Sequence, residues 1–324
     1  MKNDQANPVR STNGRLTMAE DDRMPPLAAV PGEAAAPEHA AVPKPRPAAD
    51  SAEPGRSTAR KRRWWHRKWG WEVLLLIYAG YDGSRLLVSG SLSQAQQHGR
   101  DLLSFEKHVM HLSPERAINH AFATHAWLGV PGDFIYASLH YVVTLSVLVW
   151  IWRSRQEHYR QARTWLMLTT LLGVVGFVLF PTAPPRLLEA SYGYVDVLAQ
   201  HASVGWWGAG GGGTPKGFEG MSNEFAAMPS LHVGWALWGG LLLFRHARKR
   251  IVRVLGLLYP VLIAFVVMGT ANHYLLDCLV GAGVALVSLA ATGPLLRLSD
   301  RISPQVRRRL AALRPRRSAA TGSR

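Results

Sequence analysis

After its first sixty residues, the chain is dominated by apolar runs of close to twenty residues. About twenty apolar residues in helical conformation cross the roughly 30 Å hydrocarbon layer of a bilayer. Because backbone polar groups inside hydrocarbon must bond within their own segment, such runs fold as helices. The sequence therefore predicts an all-α integral membrane protein and excludes an ordinary soluble globular enzyme.

The apolar runs predict a bundle of six transmembrane helices within a membrane domain at 61–300. The six predicted spans are 72–90, 133–152, 165–180, 230–244, 254–270 and 275–296. The third and fourth runs are short for a span, so we expect their helices to begin or end inside the adjoining loops.

The net charge of +16, from 37 Lys and Arg against 21 Asp and Glu, bears on orientation. In a chain with several spans, excess Lys and Arg marks cytoplasmic loops more often than a nucleic-acid surface. Basic residues concentrate before the first run, after the second, after the fourth and after the sixth, whereas the other loops are mixed. The positive-inside rule predicts a multi-pass cell-membrane protein with both termini cytoplasmic and no nucleic-acid partner.

Both ends of the chain are predicted to lie outside the bundle. Residues 1–60 hold nine of the 20 prolines and no apolar stretch, which is typical of a disordered cytoplasmic tail. Residues 301–324 form a basic cytoplasmic tail. Lys61–Trp71 combines basic residues with four Trp directly before the first span, which indicates an interfacial anchor in the lipid bilayer.

The two long loops, 91–132 and 181–229, are predicted to face outward, and loops of this length are usually functional or disordered. The first contains the helix-opening pair Ser113–Pro114 and apolar residues at near-helical spacing. We expect two short amphipathic extracytoplasmic helices on the outer membrane surface. The apolar residues are Leu103, Phe105, Val109, Leu112, Ile118 and Phe122.

Titratable residues close to the bilayer on the outward side are costly and need a role or a partner. His273 and Asp277 are four residues apart and share a helical face if the sixth helix starts near Asn272. Asp277 can then accept the Nδ1 proton of His273, which leaves the other ring nitrogen as a nucleophile or base.

A second group on the same side is suited to bind phosphate. His232 follows Pro229-Ser230, a helix opening whose N–H groups and dipole attract anions. Arg186 adds a forked donor for phosphate oxygens. Together with His273 and Asp277, these residues are sufficient for phosphoryl transfer without a metal or cofactor.

These residues resemble the motifs of the phosphatidic acid phosphatase type 2 superfamily, which includes the vanadium haloperoxidases. Of its motifs K-x6-R-P, P-S-G-H and S-R-x5-H-x3-D, Pro229–His232 is similar to the second, with Leu in place of Gly. His273 and Asp277 match the end of the third, and Arg186 matches the arginine of the first. The H-Y-x-x-D form resembles the inositol phosphorylceramide synthase branch, and the resemblance covers roughly 72–296.

Three positions depart from these motifs. Leu179 and Val267 stand where the motifs have Lys and Arg, and Leu187 stands where the first has Pro. Two phosphate-binding cations of the family are therefore replaced. Candidate substitutes are Lys216, Arg100, His140 and Asn272.

The resemblance implies a lipid phosphatase or phosphotransferase that acts on a lipid phosphate or phosphodiester through a phosphohistidine. His273 would attack phosphorus, and His232 would protonate the leaving oxygen and then activate water or a hydroxyl. Asp277 would fix the tautomer of His273. Arg186 and Ser230 would stabilise the equatorial oxygens, with Asn272 and Lys216 in the phosphate site.

Two other classes of function stay open. A transporter or flippase of lipid phosphates could use the same pocket for binding, although no inverted repeat or plainly discontinuous span is evident. A catalytically inactive scaffold is the third possibility, because Leu179 and Val267 replace the family cations. Ser230 could also serve only as a helix N-cap.

Overall fold

The computed structural model describes residues 91–208, 212–217 and 223–312, the last ten of these by their backbone alone. Within these residues the chain is helical, with two isolated β-bridges and no longer strand. The predicted all-α class is thereby confirmed. The predictions for 1–60, Lys61–Trp71 and the first span at 72–90 lie outside the described residues, as does most of 301–324.

Helices follow one another with short connections over most of the described chain. Their bounds are α1 Leu92–Phe105, α2 Glu115–Thr124, α3 Ala126–Phe134, α4 His140–Ser154, α5 Gln156–Leu179, α6 Val197–Gln200, α7 Leu231–His246, α8 Arg250–Gly269 and α9 Leu275–Ala312. A π-helical turn at Glu106–Met110 follows α1, and another at Ile135–Leu139 joins α3 to α4. Short 3₁₀ turns lie at Pro185–Leu187 and Ala190–Tyr192.

Four helices of the described chain are long and apolar enough to cross a membrane. They are Ala126–Ser154, Gln156–Leu179, Arg250–Gly269 and Leu275–Ile302. These helices contain or overlap the predicted spans 133–152, 165–180, 254–270 and 275–296. The span at 165–180 is not short, because α5 begins at Gln156 with polar turns that no apolar run reveals.

The predicted span at 230–244 corresponds to α7, which has 16 residues and is shorter than the roughly 20 of a full span. α7 contacts α4, α5, α8 and α9 and therefore lies at the centre of the bundle. A helix that is apolar on all sides is expected to be buried in this way. Gly240 of α7 and Gly256 of α8 touch through their backbones, so neither position has room for a side chain.

Tryptophan side chains tie α5 to its neighbours inside the bundle. The indole N–H of Trp165 donates to the carbonyl of Ala285 in α9 at 2.7 Å. The indole of Trp238 in α7 donates to the carbonyl of Ala162 at 2.9 Å. These bonds satisfy the polar edge of large buried rings and fix α7 and α9 against α5.

Helix α1 packs on the segment that carries Arg186. Gln96 donates to the carbonyl of Leu187 at 2.7 Å, and Nδ1 of His98 lies 2.7 Å from the carbonyl of Pro181. The helix packs through a face of small and apolar residues, whereas the predicted apolar residues Phe105, Val109 and Leu112 are exposed. The buried face consists of Ala95, Gly99 and Leu102.

Candidate active site

Two histidines meet where α7 and α9 begin. His232 is the second residue of α7, and His273 lies in the turn between α8 and α9. Nδ1 of His232 is 3.2 Å from Nε2 of His273. The backbone N–H of Ser230 donates to the carbonyl of Asp277 at 3.0 Å, which seats the start of α7 on the first turn of α9.

The hydrogen bonds of His273 define its tautomer. Its Nδ1 lies 2.8 Å from the carbonyl oxygen of Ala227. Because a carbonyl oxygen only accepts, Nδ1 must carry the proton, and the lone pair of the neutral ring is on Nε2. That lone pair faces His232, whose Nδ1–H donates to it. His273 thus presents an unprotonated ring nitrogen of the kind that nucleophilic catalysis requires.

Asp277 is fully buried and has two roles at the start of α9. Its Oδ2 accepts the backbone N–H of Tyr274 at 3.0 Å, as in one half of a capping box. The same oxygen is 3.4 Å from Nδ1 of His273. The predicted proximity of Asp277 to His273 is present, but the carbonyl of Ala227 is the nearer acceptor of the ring proton, which the sequence prediction had assigned to Asp277.

Arg186 lies next to the histidine turn, with only 4% of its side chain exposed. Its Nε donates to Oδ1 of Asn272 at 3.0 Å, and its Nη1 donates to Oδ2 of Asp196 at 3.3 Å. The backbone N–H of Arg186 donates to the carbonyl of Ala271 at 3.0 Å. Ala271 has a φ of 55°, a left-handed conformation that is uncommon for residues other than Gly. This strained turn places Asn272 and His273 beside the guanidinium.

Aromatic rings surround the outer face of His232. Tyr136 stacks on it with ring centroids 4.8 Å apart, and His140 meets it edge-on at 4.3 Å. Tyr136 and His140 are both buried. His140 was predicted as a substitute for a missing cation, and the structure brings it to the histidine pair. Tyr136 was not predicted, since an aromatic residue within an apolar run carries no distinguishing signal.

Ser230 is the N-cap of α7, and its Oγ accepts the backbone N–H of Val233 at 3.5 Å. Lys216 and Arg100 are not brought to the two histidines. The Lys216 side chain is exposed, and its backbone N–H donates to the carbonyl of Trp206. Arg100 instead forms a partly exposed ion pair with Glu189. Arg186 is therefore the cation that the described structure places at the site.

Two buried glutamates behind the site were missed by the sequence reasoning. Glu106 and Glu115 are fully buried, and Oε1 of Glu106 accepts the N–H of Leu276 in the first turn of α9. Burial raises the pKa of Glu106 to about 8; the bond from Leu276 opposes this rise, and the charge of Glu115 adds to it. Glu106 opens the π-helical turn after α1 and follows Leu102, on the buried face of α1, by four residues, which was the available signal.

The chain is similar to a known protein family and to one solved structure. A family profile described as the PAP2 superfamily matches residues 100–291, a stretch that contains both histidines, Asp277 and Arg186. The crystal structure of Aquifex aeolicus LpxE is similar, at 22% sequence identity over 55% of this chain and 91% of that chain, with a TM-score of 0.41. No curated protein matches the chain.

Proposed function

The chain belongs to the PAP2 superfamily, and from this premise we propose that it is an integral membrane lipid phosphatase or phosphotransferase. Its substrate is a lipid phosphate or phosphodiester. The observation that carries the proposal is the 3.2 Å approach of His273 Nε2 and His232 Nδ1, beside the buried guanidinium of Arg186. A nucleophile, a proton donor and a phosphate-binding cation thus lie within one small region.

In the first step, the lone pair on Nε2 of His273 attacks phosphorus. The bond from phosphorus to the leaving oxygen breaks, and His232, which must enter this step as the imidazolium with both ring nitrogens protonated, gives that oxygen a proton and becomes neutral. The substrate phosphoryl group replaces the hydrogen bond between Nδ1 of His232 and Nε2 of His273. The carbonyl of Ala227 and the carboxylate of Asp277 stabilise the positive charge that forms on the ring of His273.

In the second step, the phosphohistidine is transferred to an acceptor. His232, now neutral, removes a proton from water or from an acceptor hydroxyl as that oxygen attacks phosphorus. The bond between Nε2 of His273 and phosphorus breaks, and the product leaves. Water as acceptor gives a phosphatase, and a hydroxyl gives a phosphotransferase. The H-Y-x-x-D form of His273–Asp277 supports an inositolphosphotransferase-like acceptor.

Charge stabilisation in this site relies on fewer cations than the family motifs contain. Arg186 supplies the fork, and Asn272 holds it by the 3.0 Å bond to Nε. The first backbone N–H groups of α7, which follow Ser230, point toward the developing charge as in other helix N-terminal anion sites. His140 adds a third imidazole next to His232. Lys216, whose side chain is exposed, is the remaining candidate.

We extend the four spans of the described chain to a bundle of six by adding 72–90 and α7. The alternation of basic loops supports cytoplasmic termini and an outward site in the cell membrane. In this arrangement His232 and His273 lie at the outer ends of their helices, where a lipid head group in the outer leaflet reaches them.

Phosphate release by purified full-length protein tests this function. The substrates are lipid phosphomonoesters, and phosphodiesters with and without an added hydroxyl acceptor. We expect turnover by the wild type, a loss of roughly 10⁴-fold or more in His273→Ala, and unchanged rates in His108→Ala, which removes an exposed histidine.

Unchanged turnover in His273→Ala would contradict the proposed chemistry. Movement of lipid phosphates across vesicle membranes without turnover would favour the transporter. The absence of both turnover and movement would favour the inactive scaffold.

A further inference from the structure

A cavity of about 550 Å³ lies at the end of the bundle opposite the two histidines. It is an open cavity bordered by the carboxyl ends of α4 and α7 and the amino ends of α5 and α8. His246, the last residue of α7, lines the cavity and follows His232 by fourteen residues, so a rise of 1.5 Å per residue puts it about 21 Å away. The cavity is therefore separate from the candidate active site.

The cavity is strongly cationic. Arg155, Arg248 and Lys249 line it, and none of the lining residues is a carboxylate. Arg155 donates to the carbonyl of His246 at 3.3 Å and to the carbonyl of Ser154 at 3.5 Å, which are neutral acceptors. Glu157, which does not line the cavity, interacts electrostatically with Arg155. No carboxylate of the lining faces Arg248 and Lys249, and a phosphate group would supply a negative charge there.

Backbone donors add to this charge at the start of α8. Lys249 is the N-cap of α8. No side chain caps this helix, and the first turn of the helix holds no acidic residue. The first N–H groups of a helix have no partner within the helix and attract anions. Val252, in that first turn, lines the cavity, so these donors lie at its wall.

Part of the remaining wall is apolar, and an apolar surface leads away from the cavity. Trp150, Leu243, Ala247 and Val252 supply the apolar part, beside Ser154 and His246. Beyond it, one face of α8 exposes Ile251 by 60%, Leu255 by 56% and Leu258 by 56%, at the spacing of successive turns. A ligand with a phosphate at one end and a hydrocarbon tail at the other matches both surfaces.

We propose that this cavity binds the phosphate group of an anionic phospholipid, with the acyl chains along the exposed face of α8. Basic pockets between transmembrane helices on the cytoplasmic side bind anionic head groups in this way. Arg248 and Lys249 are exposed at the rim and bind the phosphate directly. The site is distinct from the proposed catalytic centre and does not depend on its chemistry.

Lipid titration of the full-length protein in neutral detergent, followed by native mass spectrometry, tests this site. The probes are phosphatidylglycerol, phosphatidylcholine and inorganic phosphate. We expect the wild type to prefer phosphatidylglycerol and the double variant Arg248→Gln/Lys249→Gln to bind it about 30-fold more weakly, since each cation contributes on the order of fivefold.

The matched control is Arg153→Gln/Arg301→Gln, which removes two exposed cations outside the cavity. It should bind phosphatidylglycerol like the wild type, and both double variants should keep the wild-type melting temperature without lipid. Wild-type affinity in Arg248→Gln/Lys249→Gln, or an equal loss in the control, would overturn the proposal. Inorganic phosphate that displaces the lipid at equal concentration would indicate a free-phosphate site and would also overturn it.

Discussion

Replacing Gly281 by alanine should separate the two histidines without altering either of them. Gly281 lies one turn after Asp277 in α9 and faces the backbone of Ser230, where a Cβ would overlap the Ser230 carbonyl oxygen. Ser230 begins the helix that carries His232 and donates to the Asp277 carbonyl at 3.0 Å. The close approach of the two backbones therefore sets the position of His232 relative to His273.

The size of the displacement follows from van der Waals contact. Carbon and carbonyl oxygen approach to about 3.3 Å, so the start of α7 must move by about 1 Å. A misplacement of about 1 Å between reacting groups costs on the order of 10²-fold in rate. Overpacking costs about 1–3 kcal/mol of stability, which is less than the typical free energy of unfolding. We expect folded protein with roughly 10²-fold lower turnover.

Gly283→Ala is the matched control, because a Cβ at Gly283 meets no atom within 4 Å. It should keep wild-type turnover and gain about 0.5–1 kcal/mol from the removal of a helical glycine. The assay compares phosphate release and the melting temperature in detergent for both variants. Wild-type turnover in Gly281→Ala would refute the positional argument, and equal losses in both variants would show that the backbone contact at Ser230 is not the cause.

The pH dependence of stability, the binding of phosphate and the orientation in the membrane can each be tested by one experiment. Burial raises the pKa of Glu106 from its ordinary 4.5 to about 8, so its contribution to stability is complete below about pH 4.5 and is lost as the pH rises through 8, by at most about 1.4 kcal/mol per pH unit. In Glu106→Gln the melting temperature should therefore depend less on pH between pH 5 and 9 than in the wild type. The same dependence of melting temperature on pH in both proteins would contradict this. Arg186→Lys should raise KM roughly tenfold or more, because an ammonium group cannot reproduce the forked guanidinium that donates hydrogen bonds to Asn272 and Asp196. An unchanged KM would exclude Arg186 from phosphate binding. A tag near Gly211 should be accessible from outside and a reporter after Arg317 should be cytoplasmic, and the reverse would place the site on the other side of the membrane.

The residues that meet in the candidate site could be predicted because each stands at the end of an apolar run. Such runs determine where helices start and which ends lie on the same side of the bilayer. The sequence therefore predicts that His232 and His273 lie together, and the structure brings their ring nitrogens to 3.2 Å. The carbonyl of Ala227 as partner of His273 could not be predicted, because a backbone acceptor has no residue type that marks it.

The buried charges around the site show a second limit of sequence reasoning. In a membrane protein the large apolar residues of an outer helix can face lipid while its small residues face the protein. The exposed Phe105 and Val109 follow this inverted pattern, so Glu106 appeared to be a loop charge although it is buried. Asp196, the partner of Arg186, likewise lies in a loop whose path depends on tertiary packing.

The spans were predictable to the extent that hydrophobicity alone defines them. α8 begins four residues before the predicted 254 because Arg250 and Arg253 belong to its first turn. α5 extends to Gln156 for the same reason. The length of α7 could not be judged from its apolar composition, since central burial among other helices and exposure to lipid both select apolar residues.

The most direct test of the account is the detection of the covalent intermediate. Detergent-purified protein is mixed with a labelled aryl phosphate, quenched early, and examined for acid-labile, base-stable phosphoprotein. We predict label in the wild type, no label in His273→Ala, and label that accumulates and stalls in His232→Ala, because a good leaving group needs no acid whereas hydrolysis needs a base. Equal labelling of His273→Ala and the wild type would contradict the assignment of the nucleophile, and label lost only in His232→Ala would reverse the roles of the two histidines.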